Sequence, residues 1–244
     1  MSSLPLDMSD GGGRYPGFST RAQAGHWDRA TAAVVESRLG MPPDVRFFTP
    51  AEEAAARALF DQLLGQQGEP RVPVVNMVDA RLADEQTDGW HYDNMPRDGE
   101  AWRATLAALD REAHSRAGST YAGLDPEQQA GLLQDICNLH RELWHGLPAD
   151  RVWSLWTRYA CTAFYSHPLA WDEIGFAGPA YPRGYKNLGV NRLEPFEVRD
   201  IRPDADPTHG PTHDYTLTSA YIGFLLPLMI ELQHLQRETT AQRP

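Results

Sequence analysis

Apolar residues recur at helical spacing along most of the chain, with polar and Gly/Pro punctuation between the runs. Residues 27–39 (WDRATAAVVESRL) carry a short helical pattern, and 44–48 reads as an extended lead-in to the next element. In Thr49-Pro50-Ala51-Glu52, Thr49 is suited to cap a helix, Pro50 to occupy its first position and Glu52 to complete a capping box. Ala56, Leu59, Phe60, Leu63 and Leu64 follow on one face, and Gly65 and Gly68 end the run. A second such helix spans about 74–83, with Val75, Val78 and Leu82 on one face. After the polar stretch DEQTDGWHYDNMPRDG, Asp98 is expected to cap a helix that turns Trp102, Leu106, Leu109 and Ala113 inward. Asp125-Pro126-Glu127-Gln128 forms another capping box, opening a helix that bears Leu132, Leu133, Ile136 and His140. A further helix starts near Pro148 with Val152, Trp156, Tyr159, Ala160 and Ala163, and a last one is expected over 216–236.

No segment sustains strand alternation, and no repeat of fixed period is present. The pattern predicts an all-α fold: one helical domain of about six helices over 14–236, joined by long ordered Pro/Gly/aromatic loops. A disordered N-terminal tail is expected at 1–13 and a flexible C-terminal tail at 237–244.

One loop stands apart. YSHPLAWDEIGFAGPAYPRGYKNLG, residues 165–189, holds three Pro, four Gly and five aromatics. That density of breakers argues against a regular helix or strand across it. Yet it is too aromatic for a flexible linker. Long ordered loops in a compact domain usually serve function. Phe176, Tyr181, Arg183 and Tyr185 are residue types enriched at protein interfaces, and the prolines reduce the freedom lost on ordering. Two readings are open: a loop that covers its own core, or a surface pressed against another protein. The aromatic helix with Trp153 and Trp156 carries the same alternative, core packing or partner contact.

Composition narrows the partners. The 244 residues are 41% hydrophobic and 23% charged, ordinary for a globular chain, with a formal charge of -11. Such an acidic balance argues against nucleic-acid phosphates and anionic membrane surfaces. The apolar run 215–230 contains Pro227 and several polar residues and falls short of a membrane span, so it reads as a docking or core helix. MSSLPLDMSDGGGRYPGF shows no basic n-region, apolar run or twin-Arg pair. A cytoplasmic location is therefore expected, periplasmic only if a partner carries the chain. Cys137 and Cys161 belong to no metal-type cluster and read as reduced, buried thiols.

Catalytic signatures are weak. There is no GxGxxG, phosphate-binding loop or GxSxG elbow. His140 and His145 are five apart, on different faces of a helix. Gly210-Pro211 separates His209 from His213 and breaks any helical metal pair. His167 closes the helix before Pro168, where the helix dipole favours a cationic imidazole. Asp172 and Glu173 are adjacent, so they do not converge on one substrate as an acid/base pair would. No catalytic, cofactor-binding or metal-ligating residue is expected in this chain.

HPLAWDEIGFAGPAYPRGYKNLG resembles the C-terminal signature of the gluconate 2-dehydrogenase subunit 3 family. RYPGF, WDRAT, RLGMPPDVRFFTPAEE, VVNMVDARL and LDPEQQAGLL are similar to the same family in the same order, over about residues 14–200. The resemblance implies a small accessory subunit that binds and stabilises a large FAD-containing subunit of the glucose–methanol–choline oxidoreductase class. FAD is then expected in the partner, which would oxidise a sugar, glycoside or alcohol at a CH–OH group. Many relatives carry a twin-arginine signal and escort the folded partner across the membrane, and some complexes add a haem c subunit as electron acceptor. This chain departs from the export pattern. Trp171, Phe176, Gly178, Pro179, Tyr181, Arg183 and Tyr185, with Trp153, Trp156 and the C-terminal helix, are the expected partner-facing set. The alternatives are a releasable folding or export chaperone for that flavoprotein, or a stand-alone enzyme built on His167, Asp172 or the His209/His213 pair.

Overall fold

The computed structural model describes residues 18–66, 68–187, 189 and 192–198. The expected helix over 216–236, both expected tails and the His209/His213 pair lie outside these residues.

Seven α-helices form among the described residues: α1 (Arg29–Arg38), α2 (Pro50–Leu64), α3 (Val74–Ala83), α4 (Asp98–Ala117), α5 (Pro126–Asn138), α6 (Ala149–Phe164) and α7 (Pro168–Ile174). The fold is all-α apart from one tiny hairpin. Both capping boxes form: Thr49 accepts from the Glu52 amide, and Asp125 accepts from the Gln128 amide at 2.8 Å. For Glu52, burial works against ionisation, but hydrogen bonds from Thr49 and Arg103 outweigh it and hold the carboxyl below its ordinary value.

α2 lies at the centre, against α3, α4, α5 and α6, and α6 in turn packs on α3, α4 and α5. The apolar stripe of α2 is buried, as are Val75, Val78 and Leu82 of α3 and Trp102, Leu106, Leu109 and Ala113 of α4. Aromatic rings continue this core. Trp102 meets Phe60 at 5.4 Å and Tyr159 at 5.7 Å, and Trp144 meets Trp156 at 5.6 Å. Trp156 donates its indole N–H to Thr105 Oγ1 at 3.1 Å, so its polar atom is satisfied inside.

Buried polar side chains fasten the connections. Asp79, fully buried, accepts from the amides of Arg46, Phe47 and Phe48 at 2.6–2.9 Å and so holds the extended lead-in before α2. Gln66 bridges both polar backbone groups of Val72 and closes the turn between α2 and α3.

Three local expectations are corrected. Asp98 is the first residue of α4 rather than its cap. It is buried and accepts from the Tyr159 hydroxyl at 2.6 Å, because a buried phenol needs an acceptor. His140 lies beyond the end of α5, exposed, with φ at 50°. His145 also lies outside any helix. It shares the hairpin turn with Gly146, both at positive φ, and joins Leu143–Trp144 to Leu147–Pro148.

Candidate interaction surface

Residues 165–198 follow the last long core helix and fold back on the N-terminal part of the chain. The prolines and glycines do not abolish helix here; they bound a short one. Pro168 stands at the start of α7, where its missing N–H costs no helix bond, and Gly175 closes α7 in the left-handed region at φ 69°. His167 caps α7 by accepting from the Leu169 amide at 3.2 Å. It is buried, and desolvation outweighs a backbone hydrogen bond at Arg38, lowering its pKa below the usual 6.5. The imidazole is thus held toward its neutral form, not the cation expected from the preceding helix dipole.

A small satellite cluster lies under this segment. Trp27, Val35 and Trp171 are buried together, with Ala24 and Ala32 against them. The Trp171 indole donates to the Tyr165 carbonyl at 2.6 Å, and the Arg38 guanidinium lies 5.6 Å from the Trp171 ring. Gly178 presses directly on Trp27. A Cβ there would come within 2.5 Å of the indole, and φ is already 76°. Only glycine suits that approach.

Hydrogen bonds tie the segment down across great sequence distances. The Thr20 amide donates to Asp172 Oδ1 at 2.6 Å, and the Thr20 hydroxyl donates to the Phe176 carbonyl at 2.8 Å. Arg38 donates to the Ser166 carbonyl at 2.6 Å. Arg183 donates to Gln23 at 3.1 Å while its guanidinium stacks 3.8 Å from the Phe196 ring centre. Farther on, the buried carboxylate of Glu194 accepts from the amides of Lys186 and Asn187.

Much of what stays outside is apolar. Of ten exposed large hydrophobic residues among those described, six lie here: Tyr165, Ile174, Phe176, Tyr181, Tyr185 and Leu193. Tyr181 is 65% exposed, Tyr185 53% and Phe176 39%. Pro179, Arg183 and Trp153 are half-buried. Trp171, Gly178 and Trp156, expected to face a partner, are instead buried in the chain's own interior, because each fills space between its own elements. They support the surface rather than form it. Tyr165, Ile174 and Leu193 join it without having been expected; their apolar character was the available signal. Thr20, Gln23 and Glu194 offered none, since their partners are set by the fold.

The candidates for chemistry are separately engaged. His167 is a buried cap, and Asp172 holds the Thr20 amide. No group of three or more His, Cys, Asp or Glu among the described residues is arranged to hold a metal. Burial pushes the Cys137 and Cys161 thiols up to about 11, far from thiolate reactivity, and neither forms a disulfide. No helix among the described residues is long and apolar enough to cross a membrane.

Comparison with known proteins matches residues 50–178 to the family model of gluconate 2-dehydrogenase subunit 3. No curated protein and no solved structure matches the chain. The matched stretch runs from the first residue of α2, through the central helices, to the Gly178 contact, and it covers more than half of the sequence. The chain therefore belongs to the gluconate 2-dehydrogenase subunit 3 family, the small subunit of a dehydrogenase complex.

Proposed function

We propose that this chain binds and stabilises a larger FAD-containing subunit of the glucose–methanol–choline class, which oxidises a CH–OH group of a sugar, glycoside or alcohol. The observation that carries the proposal is the concentration of exposed apolar residues on 165–193, a segment fastened at many points to the chain beneath it. Exposed apolar surface that is already ordered loses little entropy on docking, so more of its burial appears as affinity. Tyr181, Tyr185 and Phe176 are the anchors, with Pro179, Arg183 and Trp153 near them in the sequence or on the preceding helix.

The flavin and the hydride chemistry belong to the partner in this reading. In support, membership of this family fits a complex whose large subunit carries FAD. Haem c or another acceptor would take electrons from the flavin subunit.

Purification of the tagged chain from its native host tests this. A yellow complex with an equimolar larger flavoprotein is expected. Tyr181→Ser combined with Tyr185→Ser should lower flavin recovery while leaving the thermal midpoint of the isolated chain unchanged. A colourless chain without a companion overturns the proposal. A flavoprotein that matures with this chain but is active without it would make the chain a releasable chaperone instead.

A further inference from the structure

Near the aromatic face, a notch opens between residues 18–26 and the turns at 183–198. Phe18, Gln23, His26, Arg183, Lys186 and Phe196 line it. Glu194 and Glu197 also border it, but both carboxylates are turned to the loop backbone. Glu194 accepts from the amides of Lys186 and Asn187, and Glu197 accepts from the Glu194 amide at 2.7 Å. The guanidinium of Arg183 is fixed by neutral groups, the Gln23 amide oxygen and the Phe196 ring. Among the described residues, no carboxylate forms an ion pair with Arg183 or Lys186. The notch thus sets two cations beside two carboxylates that are already engaged by backbone amides, leaving the cations without an ion-pair partner among the described residues. Lys186 is also the single lysine of the sequence.

We infer that this notch receives an acidic side chain of the larger subunit; the inference rests on the docking proposed above. A guanidinium pre-set by stacking offers a planar fork to a carboxylate, and the ammonium of Lys186 adds a point charge nearby. Such a notch also fixes the orientation of a partner that presents a carboxylate there. Two cations without an ion-pair partner among the described residues select an Asp or Glu over an apolar anchor.

The lone lysine makes the test selective. A zero-length carbodiimide joins amines to carboxylates, so in the purified complex the only side-chain amine this chain offers is Lys186. The expected product is an amide between Lys186 and an Asp or Glu of the larger subunit, located by peptide mapping. Lys186→Arg should abolish the cross-link and preserve the complex. Arg183→Met should weaken association roughly ten- to hundredfold, more at low salt than at high salt. A product linking Lys186 only to Glu194 or Glu197 of its own chain, or unchanged affinity in Arg183→Met, overturns the inference. So does protection of Lys186 from acetylation by citrate but not by the larger subunit, which would mark a small-anion site. If no larger subunit co-purifies before any reagent is added, the docking proposal itself has failed, and this inference falls with it.

Discussion

The helices α2 to α6 and the segment 165–198 are held by different physics. In the first region, local signals and burial agree. Capping boxes start α2 and α5, and the apolar stripes of α2 to α6 meet around Trp102, Trp156 and Tyr159. In the second, little apolar surface is buried beyond Trp27, Val35 and Trp171. Directed hydrogen bonds take over, and their partners lie 128 to 160 residues away in sequence. The core is stable because it removes area from water. The segment is ordered because the N-terminal stretch supplies donors and acceptors at the right places, and that leaves its aromatics free to face outward.

The comparison breaks first, and most severely, at the core. Trp156→Ala removes a fully buried indole and should cost roughly 3–5 kcal/mol, read as a fall in the denaturant midpoint. A loss under about 1 kcal/mol would mean that the aromatic spine is not the main source of stability. Asp79→Ala should cost roughly 2–4 kcal/mol, since three backbone amides lose their acceptor. Its signature is faster amide exchange at Arg46, Phe47 and Phe48.

Gly178→Ala sharpens the contrast. The positive φ and the clash with Trp27 should cost roughly 1–3 kcal/mol, confined to the segment. Limited proteolysis should then cut within 176–198 while the global unfolding midpoint scarcely moves. Simultaneous loss of the helical core would show that the two regions unfold as one unit.

The smallest effect is a pH dependence. His167 has a lowered pKa in the folded chain, so between about 6.5 and that lowered value the unfolded chain binds more protons. Stability is full above that window and falls as pH drops through it. His167→Asn keeps a capping acceptor for the Leu169 amide and removes the titration. The variant's stability should therefore change less between pH 7 and pH 5 than the parent's, roughly the range in which histidine titrates. Equal slopes for the two proteins would show that other groups govern the acid limb.

Much of this architecture was legible beforehand. The bounds of α3, the start of α2 and the start of α5 follow from caps and periodicity and agree with the structure. Asp98 was misread because a residue just before a helical pattern looks like a cap, whereas its partner Tyr159 lies 61 residues on. The short helix α7 was hidden by the breakers that delimit it. On the surface, Tyr181, Tyr185 and Phe176 were visible as interface types, but nothing local separated them from Trp171 and Trp156, which turn inward.

By itself, the sequence determined the long helices α2 to α6, the starts of α2 and α5, and the family, because capping and apolar spacing act between residues a few positions apart. The tertiary structure alone decided which aromatics became core and which became surface. It also decided that Thr20 would anchor Asp172, and that Arg183 and Lys186 would share one notch. Those outcomes depend on segments meeting across 51 to 160 residues, and no local pattern records such a meeting.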